Sequence, residues 1–201
     1  MEDAMHSKEI DPGIEANGVS VDAVVDAFKL FPSVALKKLV THGIGAVNAK
    51  GEIIIDRDSW YPMPNWVAAF DGIAANVGPR ALFQIGQNIL KYSPFPPTIT
   101  DVRSAMAAVD VGYHMNHRKN GRPMFDPTTG RKSTGIGNYA ITDAGPRKIT
   151  LACDNPYPCD FDRGIITAVA QRFERAARVT HDDHAACRKT GASSCTYHVT
   201  W

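Results

Sequence analysis

Three thiols and one imidazole near the C-terminal end of this chain have the types and spacing of metal ligands. Cys159 stands five residues before Gly164, a helical run follows, then His184-Ala-Ala-Cys187, and Cys195 comes eight residues after Cys187. Thiolates gathered from separate segments in a reducing compartment hold a metal more readily than a disulfide. Three sulfurs and one nitrogen make a closed tetrahedral shell, which suits zinc in a structural role. Sulfur ligands disfavour magnesium and calcium, but the residues alone do not separate zinc from iron. The fourth cysteine, Cys153, reads as a core strand residue. The competing reading makes all four inert buried thiols, because free cysteine is among the most buried residue types and no Cys-x-x-Cys pair is present.

The elements that must position these groups are legible in part. Asp162–Val179 has an amphipathic helical pattern, with Ile165, Ile166, Val169, Phe173 and Ala177 on one side. Cys159 would sit at its entrance. A short helix is expected over Asp182–Arg188, ended by Gly191 in a left-handed cap; on it His184 and Cys187 share a face. A change of one residue in helix phase would put His181 or Asp183 in the place of His184. Cys195–Trp201 reads as a strand whose alternation sets Cys195, Tyr197, Val199 and Trp201 on one face and His198 on the other.

Upstream, Val19–Val40 is helical in pattern and broken at Pro32, and Glu52–Asp56 reads as a strand. A helix capped by Asn65 runs through Trp66, Phe70, Ile73 and Val77 to Gly78-Pro79. The next helix carries Leu82, Phe83, Ile85 and Ile89 to the Pro94–Pro97 stop. Thr100-Asp101 opens another through Met106 and Tyr113. Residues 117–135 read as an exposed basic hairpin, and Tyr139–Thr142 and Lys148–Cys153 as paired strands turning at Asp143–Gly145. Residues 1–18 read as a flexible N-terminal arm and residues 19–201 as a single α+β domain, an antiparallel sheet packed with helices.

Apolar residues make up 44% and charged residues 21% of the 201, with a net charge of +1. No global field therefore argues for nucleic acid or an anionic membrane, and no apolar run approaches the ~20 residues of a membrane span. The polar N-terminus is unlike a signal peptide, so a cytoplasmic location is expected.

The same C-terminal residues resemble the 4-vinyl-reductase-type ligand-binding domain, which is related to haem-NO-binding domains and to TRAPP transport-complex subunits. That family's pattern is a cysteine five residues before a glycine, then Glu-x-x-Cys, then a cysteine eight residues on. Cys159, Gly164, Cys187 and Cys195 match it, and His184 stands where the family has glutamate. Phe70–Gly86 resembles the helix pair of such domains. The resemblance implies a zinc staple on Cys159, His184, Cys187 and Cys195, and a homodimer. It also implies a small hydrophobic or aromatic ligand between helices and sheet, near Trp66, Phe70, Phe83, Tyr113 and His114. Each of those aromatics, taken singly, reads more simply as core.

Other signals do not survive. His42-Gly-Ile-Gly45 lacks the third glycine of a dinucleotide site, and Gly130–Thr134 has its lysine displaced from a phosphate loop. Arg118, Lys119, Arg122, Arg131 and Lys132 lack an accompanying recognition motif. No Gly-x-Ser-x-Gly elbow occurs. The expected function is thus a zinc-stapled sensor or carrier of a small apolar molecule, acting by population shift, with output through a separate partner protein. A tetrapyrrole- or metal-linked enzyme and a ligand-free scaffold are the alternatives.

Overall fold

The sequence alternates short β-branched or aromatic stretches with helical stripes, and the computed structural model, which describes residues 10–28, 32–89 and 94–201, sorts them into two antiparallel sheets packed with helices. The first sheet has the order β4-β1-β5-β6, formed by β1 (Ile14–Asn17), β4 (Trp60–Pro62), β5 (His117–Lys119) and β6 (Arg122–Pro123). Strand β1 corrects the expected arm. Ile14 and Ala16 are fully buried, while Glu15 takes a bidentate hydrogen bond from Arg118. Two alternating residues inside a polar segment were too short a signal to stand out. Residues 1–9 lie outside the described part.

Helices α1 (Gly18–Ala27) and α2 (Pro32–Thr41) separate at the expected proline. Asn17 caps α1, accepting from Ser20 N at 2.8 Å. A small hairpin of β2 (Ala46–Val47) and β3 (Ile53–Ile54) closes over Asn48–Gly51, shorter than the expected strand. Helix α3 (Met63–Ile89) begins two residues before Asn65, whose side chain instead donates to the His42 carbonyl. Gly78 adopts φ 77°, ψ 170° and breaks the helical path, and Pro79 restarts it, as the dipeptide predicts. Helix α4 (Val102–Met115) is capped by Asp101 and Ser104 in a reciprocal box.

The second sheet has the order β7-β8-β10-β9, with β7 (Tyr139–Gly145), β8 (Lys148–Cys153), β9 (Arg178–His181) and β10 (Cys195–Thr200). Its inner face carries Ile149, Leu151, Cys153, Cys195, Tyr197 and Val199, all buried. Helix α5 (Cys159–Phe173) packs against α3, α4 and β9. Where α3 and α5 meet, glycine is required on both sides. A Cβ on Gly86 would lie 2.2 Å from the Phe161 carbonyl oxygen, and one on Gly164 would lie 2.2 Å from that of Phe83.

Two expected helices change here. The run to Val179 stops at Phe173, and Arg178-Val-Thr-His181 becomes an edge strand paired with β10. The Asp182–Arg188 helix does not form. Asp182 accepts from the backbone N–H groups of His184 and Ala185, a side-chain turn that competes with helix. Only a 3-10 turn at Arg188–Thr190 follows, closed by Gly191 at φ 88°.

Candidate metal centre

Each ligand-type group comes from a different piece of chain. Cys159 is the first residue of α5, His181 the last of β9 and Cys195 the first of β10, while Cys187 has extended backbone in the connecting segment. One ligand atom from each of these four lies within 4.8 Å of all the others. The sulfur separations are 3.0 Å for Cys159–Cys195, 3.5 Å for Cys159–Cys187 and 3.6 Å for Cys187–Cys195. Three thiolates around a tetrahedral zinc, with bonds of about 2.3 Å, would stand about 3.8 Å apart. Modest expansion reaches that geometry.

The nitrogen comes from His181. Its register opposite Tyr197 puts it on the face of the sheet that carries Cys195. Nδ1 pairs with Asp183 Oδ1 at 3.0 Å, which leaves Nε2 for a metal. Nε2 is buried and has no hydrogen-bond partner. A carboxylate on the far nitrogen is the usual support of a ligating histidine. His184, expected as the fourth ligand, is exposed on the Asp182 turn that forms in place of the expected helix, and the histidine that lies beside the three sulfurs is His181. Asp183 acts behind His181 instead.

The electrostatics favour an anionic sulfur at Cys195. Cys195 is drawn down to about 3 by the hydrogen bond from the Cys159 thiol, with burial opposing and Arg188 assisting. Cys159 is correspondingly pushed up, since its proton is held toward Cys195 and it is buried. Burial works against a charged His181, but Cys195 and Asp183 outweigh it and raise its pKa. Cys153 pairs with Cys195 across β8 and β10, is buried, and stands outside the set, as expected. His198 faces the other way, bonded to Asp182 and Thr150.

The residues expected around a ligand form a packed centre. Phe70 makes edge-type contacts with Phe28, Trp66, Tyr157 and Phe161, with centroids 4.8–5.7 Å apart. Trp66 Nε1 donates to the Tyr157 hydroxyl at 3.0 Å, and the Tyr113 hydroxyl donates to the Ile136 carbonyl at 2.8 Å. Phe83 lies apart, half-buried under the Arg163 guanidinium. His114 and His117 are both buried, and each Nδ1 lies within hydrogen-bond distance of the carbonyl four residues back. Burial lowers His117 to about 4, so it is neutral. Of the basic hairpin, Arg118, Lys119 and Lys132 are paired with Glu15, Asp11 and Asp110.

No family model matches the sequence, and no curated protein does. Solved structures do match in fold. A structure from work on haem distortion in the H-NOX (haem-NO-binding) family has a TM-score of 0.61 at 13% identity, covering 92% of this chain and 94% of that one. An H-NOX protein from S. oneidensis in the Fe(II)NO state gives 0.60 at 15%, covering 91% and 97%. An oxygen-binding H-NOX domain related to soluble guanylate cyclases, in its oxygen complex, gives 0.56 at 11%, covering 91% of each. The fold of this chain is therefore that of the H-NOX domains.

Those neighbours raise the question of a haem, and the residues present do not fit one. A porphyrin needs a flat apolar slot with a histidine nitrogen opening onto it. Here Trp66, Phe70, Tyr157 and Phe161, from α3, α5 and the segment leading into α5, pack ring against ring. His117 Nε2 has no partner, but its ring is stacked edge-on to Tyr113 at 4.7 Å. An open groove of about 320 Å³ lies elsewhere, between α2 and α3, lined by Ser33, Val34, Lys37, Lys38 and Asn76. No helix among the described residues is long and apolar enough to cross a membrane.

Proposed function

We propose that this chain is a metal-stapled small-molecule sensor or carrier domain on an H-NOX-type fold, with zinc held by Cys159, His181, Cys187 and Cys195. The observation that carries the reading is the unpartnered, buried Nε2 of His181 beside three converging sulfurs. A buried polar atom without a partner is costly, and a cation bound by all four groups removes that cost. The metal would tie the start of α5, the end of β9 and the start of β10 together, which is a structural role with no open coordination position. An apolar or aromatic ligand would enter by opening the ring cluster around Phe70. Output through a homodimer or a separate partner protein, and kinship with the 4-vinyl-reductase-type domains, belong to the same reading and rest on the resemblance.

Elemental analysis of the purified chain, with Cys187→Ser in parallel and a chelator melt, tests the staple. About one zinc per chain, lost in the variant, and a melting temperature lowered by about 10 °C on chelation are expected. Metal-free protein of unchanged stability in all samples would remove the site. Thermal-shift measurements with small aromatic compounds, and added haemin followed in the visible, test the ligand half. Stabilisation by an aromatic compound without haemin uptake is the expected result.

The filled aromatic centre favours one second reading, a ligand-free scaffold. No stabilisation by any apolar compound, together with stable self-association, would select it.

A further inference from the structure

Beside the four candidate ligands lies a charged side chain that ligates nothing and is nevertheless almost wholly enclosed. Arg188 directly follows Cys187. Its backbone N–H lies 3.4 Å and its Nε 3.3 Å from Cys195 Sγ, so two donors converge on one sulfur. The rest of the guanidinium is equally committed. Nη1 donates to Asn155 Oδ1 at 2.9 Å and to the Asn155 carbonyl, and Nη2 donates to Asp162 Oδ2. Asp162 is completely buried on α5. It is held in turn by the Tyr139 hydroxyl at 2.6 Å and by Asn155 Nδ2 at 3.1 Å. The orientation of the arginine is thus set by protein groups on its other nitrogens.

We propose that Arg188, oriented by Asp162 and Asn155, is the positioning residue of the metal centre: it aims Cys195 at the cation and quiets that sulfur once bound. This rests on the metal reading above. The charge count gives the reason. Three thiolates and a divalent cation with a neutral imidazole sum to −1, and a buried centre of that charge needs a fixed counter-charge. Arg188 is shared between that charge and the buried Asp162 carboxylate, and it acts on the centre through the two donors that converge on Cys195. Hydrogen bonds to a bound thiolate draw electron density off sulfur, which lowers its nucleophilicity and makes the staple inert. Only a planar fork suits the task. Its Nε must reach sulfur while its two terminal nitrogens grip Asp162 and Asn155, a division that lysine's single ammonium does not allow.

Cobalt(II) substitution of the full chain tests this, because sulfur-to-cobalt charge transfer reports electron density on the ligating sulfurs. Wild type, Arg188→Lys, Arg188→Gln and Lys189→Ala are compared, each also titrated against a chromophoric chelator and alkylated with iodoacetamide. Lys189 is the comparison for charge without a hydrogen bond to sulfur: its ammonium donates to Asp160 at 2.6 Å and its charge reaches Cys159 and Cys187 only through space. In Arg188→Lys, which keeps the charge, the charge-transfer band should move to longer wavelength. Metal retention should weaken by about 10–100-fold, with Cys195 alkylated correspondingly faster, and Lys189→Ala should change the band and Cys195 alkylation less than either Arg188 variant. A wild-type chain that takes up no cobalt would overturn the metal reading itself. Cobalt uptake with an identical band and identical alkylation in both Arg188 variants would overturn the role of Arg188 alone. Should Arg188→Gln fail to fold, Arg188→Lys and Asp162→Asn, which loosens the same guanidinium, carry the comparison.

Discussion

The corner where α5, β9 and β10 meet and the aromatic centre around Phe70 are both built from residue types that bind things, yet they differ in what they leave unsatisfied. In the corner, three sulfurs approach within 3.6 Å of one another and a buried imidazole nitrogen has no partner. In the centre the tips of the large aromatics find protein: Trp66 bonds Tyr157, Tyr113 bonds Ile136, Tyr139 bonds Asp162, and a lone His117 Nε2 beside Tyr113 goes without a partner. Aromatic rings satisfy one another through edge contacts, whereas thiolates repel and need a cation. Residue type alone therefore marks a site poorly. Several ligand-type groups converging on one unmet atom mark it better.

The comparison is open to experiment at several strengths. Phe70→Ala should cost about 3–5 kcal/mol in urea melts, and the cavity it leaves should admit benzene or indole, read as a thermal shift. A cost under about 1 kcal/mol would mean the centre already holds space, and the contrast with the corner would fall.

Asp71, the residue after Phe70 on α3, is a further polar group with unmet demand outside the corner. Its Oδ1 is buried without a partner, and burial raises its pKa to about 6. The ordinary value is about 3.9, so the native state keeps the proton longer than the unfolded chain. Stability from this group is full below about pH 4 and is lost as pH rises to about 6. Asp71→Asn should then stabilise by about 1–3 kcal/mol at pH 7–8 and by almost nothing near pH 4. Equal effects at both pH values would show that Asp71 is solvated.

The smallest effect is expected at His184. His184→Ala should keep its metal and change stability by no more than about 0.5 kcal/mol, while His181→Ala should lose metal in the same assay. The reverse result would place the fourth ligand on the turn and discard the pairing of β9 with β10 as its cause.

Much of the local structure was readable. Pro32, Gly78-Pro79 and Asp101 act through their own backbone or side chain, and each punctuates the chain where the sequence places it. Cys159, Cys187 and Cys195 likewise converge as their spacing suggests. His181 was harder, because Val169, Phe173 and Ala177 extend a helical stripe that hides the strand after it. The β-branched pair in Arg178-Val-Thr-His181 was the available signal. Arg188 had no signal at all, since nothing local separates an arginine that grips a buried aspartate from one in solvent.

The sequence by itself determined which chemistry is present, because ligand softness and turn preference belong to individual residues. It also determined the breaks at Pro32 and Gly78-Pro79 and the start of α4 at Asp101, since capping and proline act within a few positions. Tertiary structure alone decided that His181 and not His184 lies beside the three sulfurs, that β1 is core and that the aromatic residues close on themselves. Those outcomes depend on strand register and on helix–helix approach between residues as distant as Gly86 and Gly164. A one-residue change in register would turn His181 to the opposite face. Pairing of that kind is fixed by the packed whole, and no window of the chain contains it.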